Sequence, residues 1–186
     1  MIPILVTGPA VEPLSVEEMR LHLRLDDTQE DELVGSLVKA ARLMLESATR
    51  LKFVSQVWRL SIARVPSGRS IRVPLAPVLA VAAVRVFDAA GVETLVDDAF
   101  YRLRRGSEPA LVVLEPGFPD APGGIEIDLV VGFGPSASDV PEPLRHAVRM
   151  LVAFWFENRG DEAHERAQLP AEVALMIAPY RSLRMK

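Results

Sequence analysis

The sequence has no cysteine in 186 residues, which excludes disulfides and thiolate-held metals and gives no sign of an oxidising compartment. Histidine is scarce. His22, His146 and His164 stand at no H-x-x-x-H or similar spacing, so they do not form a metal motif. His22 and His146 fall on helical patterns and read as half-buried polar residues. No G-x-S-x-G nucleophile elbow occurs. "GFGPSA" (132–137) lacks the Lys-Ser/Thr end of a phosphate loop and reads as a turn. These absences leave no catalytic residue, cofactor-binding residue or metal ligand to name, and no enzyme or cofactor is expected. The opening "MIPILVTGPAVEP" has no basic n-region, and Pro3, Gly8 and Pro9 break its apolar stretch, so it does not read as a signal peptide. No run approaches a membrane span, and folding in the cytoplasm is expected. With 21 Lys and Arg against 25 Asp and Glu the formal charge is −4, which gives no global pull toward nucleic acid.

What is present is an ordinary globular composition, 49% apolar, in a length suited to one domain (1–186) or one domain carrying an insertion. Ser15 and Glu18 form an S-x-x-E capping box, with Leu14 and Met19 placed as a hydrophobic staple, so a helix starts there. The acidic connector that follows, "LDDTQEDE", lacks the glycine turn and distal Glu of a calcium loop. It reads as a second cap, Thr28 with Asp31, and its carboxylates have no identifiable acid–base partner. Residues 29–51 predict a long helix. Leu33, Leu37, Ala40, Ala41, Met44, Ala48 and Leu51 form one stripe, and Val34, Val38 and Leu45 a second.

After Phe53 the period changes to two. "VWRLSIARV" (57–65), the proline-marked "IRVPLAPVLAVAAVRVF" (71–87), "FYRLRR" (100–105), "ALVVLE" (110–115) and "IEIDLVV" (125–131) predict strands, with "DAAG" (88–91) a turn. In the last strand Ile125, Ile127, Leu129 and Val131 face inward and Glu126 and Asp128 outward. Helix returns at 141–158, with Asp139 as a candidate N-cap, and again from about Pro170 until Pro179 ends or kinks it. The expected fold is α+β: a helical bundle of two N-terminal and two C-terminal helices, with a small antiparallel β-sheet inserted between helices two and three. The β-rich insertion covers 54–135 and a C-terminal arm covers 176–186.

The third helix is apolar on more than one side. Leu144, Ala147, Val148, Leu151, Val152 and Trp155 complete a core stripe, leaving Met150, Ala153, Phe154 and Phe156 beside it. The second face is covered either by the sheet of the same chain or by a partner subunit. The closing "YRSLRMK" carries Arg181, Arg184 and Lys186 and no acid. It is either a solvated tail matched to a helix dipole or an arm for an acidic partner.

Several of these segments, in order, resemble the head–tail connector (adaptor or head-completion) proteins of tailed phages and of phage-derived gene transfer agents. "PLSVEEMRLHLRLDDTQEDELVGSLVKAARLMLESATRL" resembles the family's opening pair of helices. "VWRLSI" and "IRVPLAPVLAVAAV" resemble its proline-marked strands, and "IEIDLVVGFG" the strand ending in a Gly-aromatic-Gly turn. "VPEPLRHAVRMLVAFWFENRGD" resembles its long helix and "LPAEVALMIAPYR" its C-terminal ending. "TRLKF" departs from the pattern where relatives often carry glycine. Composition does not separate phage from gene transfer agent.

The resemblance implies a structural ring, usually a dodecamer, beneath the portal protein. It extends the DNA channel without binding DNA specifically and attaches a stopper or tail-terminator protein, in a particle assembled in the bacterial cytoplasm. A ring of identical subunits needs two different faces on each copy, which doubly apolar helices can supply. Tyr180, Arg181 and Arg184 are then candidates for portal docking, and Met150, Phe154 and Phe156 for the subunit interface. The rival reading is a DNA-binding or regulatory module using the N-terminal helices, for which Asp26–Glu32 puts acid at the helix junction. A small hydrolase with a pocket between sheet and bundle ranks last, lacking a nucleophile–base pair.

Overall fold

The structure is a computed structural model and describes residues 2–107, 109–158 and 169–181. The chain forms two compact units. One comprises the described residues of Met1–Pro9 and Ser55–Gly132 and is all β apart from a 3-10 turn; the other comprises those of Ala10–Val54 and Phe133–Lys186 and is helical.

The β unit holds two sheets. The five-stranded sheet has the order β1-β2-β8-β4-β5, from Pro3–Thr7 (β1), Gln56–Ile62 (β2), Gly124–Val131 (β8), Val78–Phe87 (β4) and Glu93–Leu95 (β5). The three-stranded sheet is β3-β7-β6, from Ser70–Arg72 (β3), Leu111–Leu114 (β7) and Tyr101–Arg104 (β6). Neighbouring strands in both sheets pair antiparallel. Ile125, Ile127, Leu129 and Val131 are fully buried with Leu60, Val84, Val86, Val112 and Leu114, as the alternation requires. The β4–β5 turn is set by Asp88, whose Oδ1 accepts the amides of Ala90 and Val92, both at 2.8 Å, while Gly91 takes φ 82°.

On the opposite face Asp128 is outward in register yet only 6% exposed. Arg59, directly across on β2, donates to it at 2.7 and 2.9 Å, and Arg85 on β4 donates at 2.6 Å. Glu126 joins Arg59 at 3.2 Å, and Glu93 joins Arg85 at 3.1 Å. A charge ladder therefore crosses four strands. The bidentate Arg59 hydrogen bonds, reinforced by Arg85, outweigh burial and hold Asp128 below its ordinary carboxylate range.

In the helical unit, Val16–Leu23 (α1), Asp31–Thr49 (α2), Glu142–Glu157 (α3) and Ala171–Ile177 (α4) pack in the pairs α1/α2, α2/α3 and α3/α4. The capping box is formed in both directions: Ser15 Oγ accepts the Glu18 amide at 3.1 Å, and Glu18 Oε2 accepts the Ser15 amide at 2.8 Å. Glu18 Oε1 also meets Arg145 of α3 at 2.9 Å, and Arg145 Nε donates to the Pro13 carbonyl at 3.1 Å. Leu14 and Met19 are both buried in the helical core.

Four expectations need correction. The sheet is not one small insertion between helices two and three: there are two sheets, and β1 precedes α1. "PILVT" shows no apolar–polar alternation because neither of its faces is covered. On α2 the buried side is Val34, Val38, Ala41 and Leu45, with Leu33 exposed. The stripe of Val34, Val38 and Leu45 is thus the core line, joined by Ala41 from the other stripe, and Arg42 and Glu46 are buried along it. Thr28 does not cap α2 with its side chain: its carbonyl accepts the Asp31 amide at 3.2 Å, and the connector folds on an Asp27–Gln29 bond at 3.0 Å. Asp139 does not cap α3, which begins after Pro141. It closes a reciprocal box with Ser136 instead.

Replacing Asp128 with Asn should destabilise the folded chain at neutral pH by about 1.5–3 kcal/mol, the range for hydrogen bonds to charged groups. Asp128 has its folded pKa below the ordinary 3.8. Its contribution is therefore complete above that value and is lost as pH falls through the folded pKa. Denaturant melts of wild type and D128N should differ at pH 7 and converge in strong acid; equal stability at pH 7 would contradict the ladder's role.

Candidate functional site

Among the described residues no group of three or more Asp, Glu and His is placed to hold a metal ion. A depression of about 430 Å³ lies beside β2, β4 and β8, lined by Ser61, Ile62, Ala63, Phe87 and Gly123–Glu126. Its polar side chains are Ser61 and Glu126, and the latter is engaged by Arg59. The chemically informative surfaces are those that can hold another protein.

The C-terminal surface is built by α4 and the 3-10 turn Ala178–Tyr180. Val173 and Ile177 are buried, while Leu175 is exposed. Pro179 permits one tight turn and then the chain extends at Arg181, whose amide donates to the Ala178 carbonyl at 3.2 Å. Tyr180 is half-buried against the helical core and roots the arm, whereas Arg181 is exposed. Arg184, like His164, lies outside the described residues.

Along α3, the stripe Leu144, Ala147, Val148, Leu151 and Val152 is buried. The second face is half-covered. Met150 and Phe156 pack against the helical core from its margin, and Phe154 is half-buried. Glu157 is exposed, so the apolar run does meet solvent there.

Residues that sequence reasoning passed over complete the helical unit. Arg42 and Glu46, buried on α2, form a polar seam: Arg42 grips Glu12 at 2.6 and 3.1 Å and lies 3.5 Å from Glu46. Glu46 accepts the Phe53 amide at 2.9 Å and pairs with Lys52 at 3.3 Å. In "TRLKF" the left-handed turn falls at Arg50. Arg50 takes φ 63° where glycine is usual, Thr49 Oγ1 accepts the Leu51 amide at 3.2 Å, and Lys52 is spent on Glu46. The i, i+4 spacing of Arg42 and Glu46 was the available signal.

His146 is half-buried as expected, with its Nδ1 3.4 Å from Arg149. His22 is exposed instead, because it sits on the solvent side of α1 near the helix end.

No protein-family model and no curated protein matches the chain. Solved structures do. A chain in the neck of an empty gene transfer agent (GTA) particle, computed with C6 symmetry, is 34% identical at a TM-score of 0.83. A chain in the virion of a native gene transfer agent particle is 35% identical at 0.81. One in the neck of a native GTA particle, computed with C12 symmetry, is 34% identical at 0.80. Each comparison covers 100% of this chain and 98% of the other.

The histidines give a direct check of the helical surface. Partial desolvation, then the nearby Arg149 and His146, push His22 below its ordinary pKa of 6.5, against a smaller opposing pull from Glu157. In an NMR titration His22 should become protonated at lower pH than a free imidazole, and Arg149→Ala should move its midpoint part of the way back up. A midpoint at or above 6.5 in the wild-type protein would contradict this arrangement.

Proposed function

The chain belongs to the head–tail connector (adaptor) family of gene transfer agent particles, and we propose that it forms a ring in the particle neck, beneath the portal. There it extends the DNA channel and provides the seat for the stopper or tail-terminator protein. The carrying observation is the end-to-end likeness, above 30% identity, to chains of GTA necks and virions. The C6 and C12 symmetries of those necks support a ring, with twelve copies the natural count. The role is structural and non-enzymatic, carried out in a particle assembled in the bacterial cytoplasm. A formal charge of −4 per copy makes such a ring acidic, which suits a conduit that must not retain the phosphate backbone.

Portal docking falls to the C-terminal arm, with Tyr180 as its root, Arg181 as the first free guanidinium and Arg184 further along. Arginine's planar donor fork suits carboxylates on a partner. The margin of α3 serves subunit packing: half-buried Phe154 offers an aromatic surface, and Met150 and Phe156 continue it. A subunit with distinct neighbours on its two sides requires such a division.

Deleting the gene in its producer should give DNA-filled heads without tails in electron micrographs, restored by supplying the protein. Tailed particles formed without it would overturn the reading. For the arm, Arg181→Ala combined with removal of residues 182–186 should weaken binding to purified portal at least tenfold, a loss of about 1.4 kcal/mol. Circular dichroism and melting should be unchanged, since Arg181 is exposed. Undiminished portal binding would remove the arm from the docking surface.

A further inference from the structure

Among the described residues the two edges of the five-stranded sheet are open: β1 pairs with β2 alone, and β5 with β4 alone. On β1, Ile4 is 57%, Leu5 48% and Val6 47% exposed. Consecutive side chains on a strand face opposite ways, so both faces of β1 stand in solvent. At the far edge Val92 is 60% and Leu95 66% exposed. The first nine residues hold no charge, whereas the edge strands of the other sheet are marked by arginine: Arg72 on β3, and Arg102 and Arg104 on β6. Charged edges block strand pairing, and an uncharged apolar edge with unpaired main-chain groups invites it; the charge on β5, Glu93, is held by Arg85 of its own sheet at 3.1 Å.

We propose that in the assembled ring β1 of one copy pairs with β5 of the next, joining the five-stranded sheets of successive subunits into a closed belt. This rests on the ring reading above. The occupant is a second copy because the two open edges lie at opposite ends of one sheet, which is the heterologous, head-to-tail relation that cyclic assembly demands. Pairing β1 with another β1 would be isologous and would stop at a dimer. The match also covers the residues that the monomer leaves bare: Ile4, Leu5 and Val6 on one side of the junction, Val92 and Leu95 on the other.

The absence of cysteine makes the test clean. Ile4→Cys and Leu5→Cys sample the two faces of β1, and each is combined with Thr94→Cys on β5. All three positions are exposed, so the fold should tolerate them. The variants replace the wild-type chain in the producer. Purified particles are then treated with a short bis-maleimide, and the chain is followed by immunoblot after denaturing electrophoresis.

The expected result is a ladder of covalent multimers from at least one double variant, and monomer alone from each single variant. Monomer alone from both double variants, in particles that contain the chain, would overturn the belt and leave the adaptor reading standing. Dimers from a β1 cysteine alone would overturn it in favour of a symmetric contact. A band at the summed mass of this chain and a different protein would assign the edge to another neck component. Absence of the wild-type chain from particles would instead count against the adaptor reading itself. As a second variant, Leu5→Lys with Val6→Lys should reduce incorporation at least tenfold while the purified protein keeps its circular dichroism. Incorporation at the wild-type level would also overturn the belt.

Discussion

The β unit depends on β8, a single strand that must satisfy two different environments at once. One face carries Ile125, Ile127, Leu129 and Val131 into the core. The other presents Asp128 to Arg59 and Arg85 on its two neighbours. A slip of one residue would expose the apolar set and drive a carboxylate into the core. Slips of two residues keep the faces but separate Asp128 from Arg59, which stands directly opposite. The apolar alternation thus selects the face, while the charge ladder selects among the registers that alternation allows.

The helical unit solves its own specificity problem with buried charge. Arg42 and Glu46 lie one turn apart on the buried side of α2. Burying such groups is costly unless every partner is present. Here Glu12, Lys52 and the Phe53 amide complete the set. The seam holds the segment before α1 and the segment after α2 against the same helix. It also fixes where α2 stops: Glu46 captures the Phe53 amide only when the chain turns at Arg50. That turn places Arg50 in left-handed backbone, at a cost of about 1 kcal/mol relative to glycine. The ion pairs and main-chain bonds around it offset that cost.

Much of this was legible in the sequence, for reasons that vary by element. The Ser15–Glu18 box, the β8 alternation and the stripe of α3 are local patterns whose period reports directly on burial. The Gly-aromatic-Gly turn is similarly local: Gly132 takes φ 131°, and a Cβ on Gly134 would collide with the Asp139 side chain. β1 and β5 were hidden because exposed edge strands carry no alternation to read. On α2 the buried Val34, Val38 and Leu45 were legible as one of two apolar stripes, whereas the burial of Arg42 beside them was not, because its partner Glu12 is distant in sequence. Of the surfaces proposed for assembly, Phe154 followed from helical spacing on a second apolar face, whereas the role of Tyr180 came only with the family resemblance. The apolar edge at Ile4–Val6 appeared at first only as a broken run at the start of the chain.

The open edges also bear on how such a protein avoids indiscriminate strand pairing before assembly. A long flat apolar edge would pair indiscriminately. Here the edges are five and three residues long, so a single junction offers few main-chain bonds and little buried area. Contacts of that size are weak between free copies. They become effective when neighbouring copies are held side by side by another contact, because pairing is then intramolecular, with effective concentrations that can reach millimolar. Ring closure adds a second junction to every copy. Docking of each copy on a shared neck component and lateral pairing at the sheet edges would therefore be coupled. The helical unit would select the place of assembly, and the β unit would make the finished ring hard to dissociate.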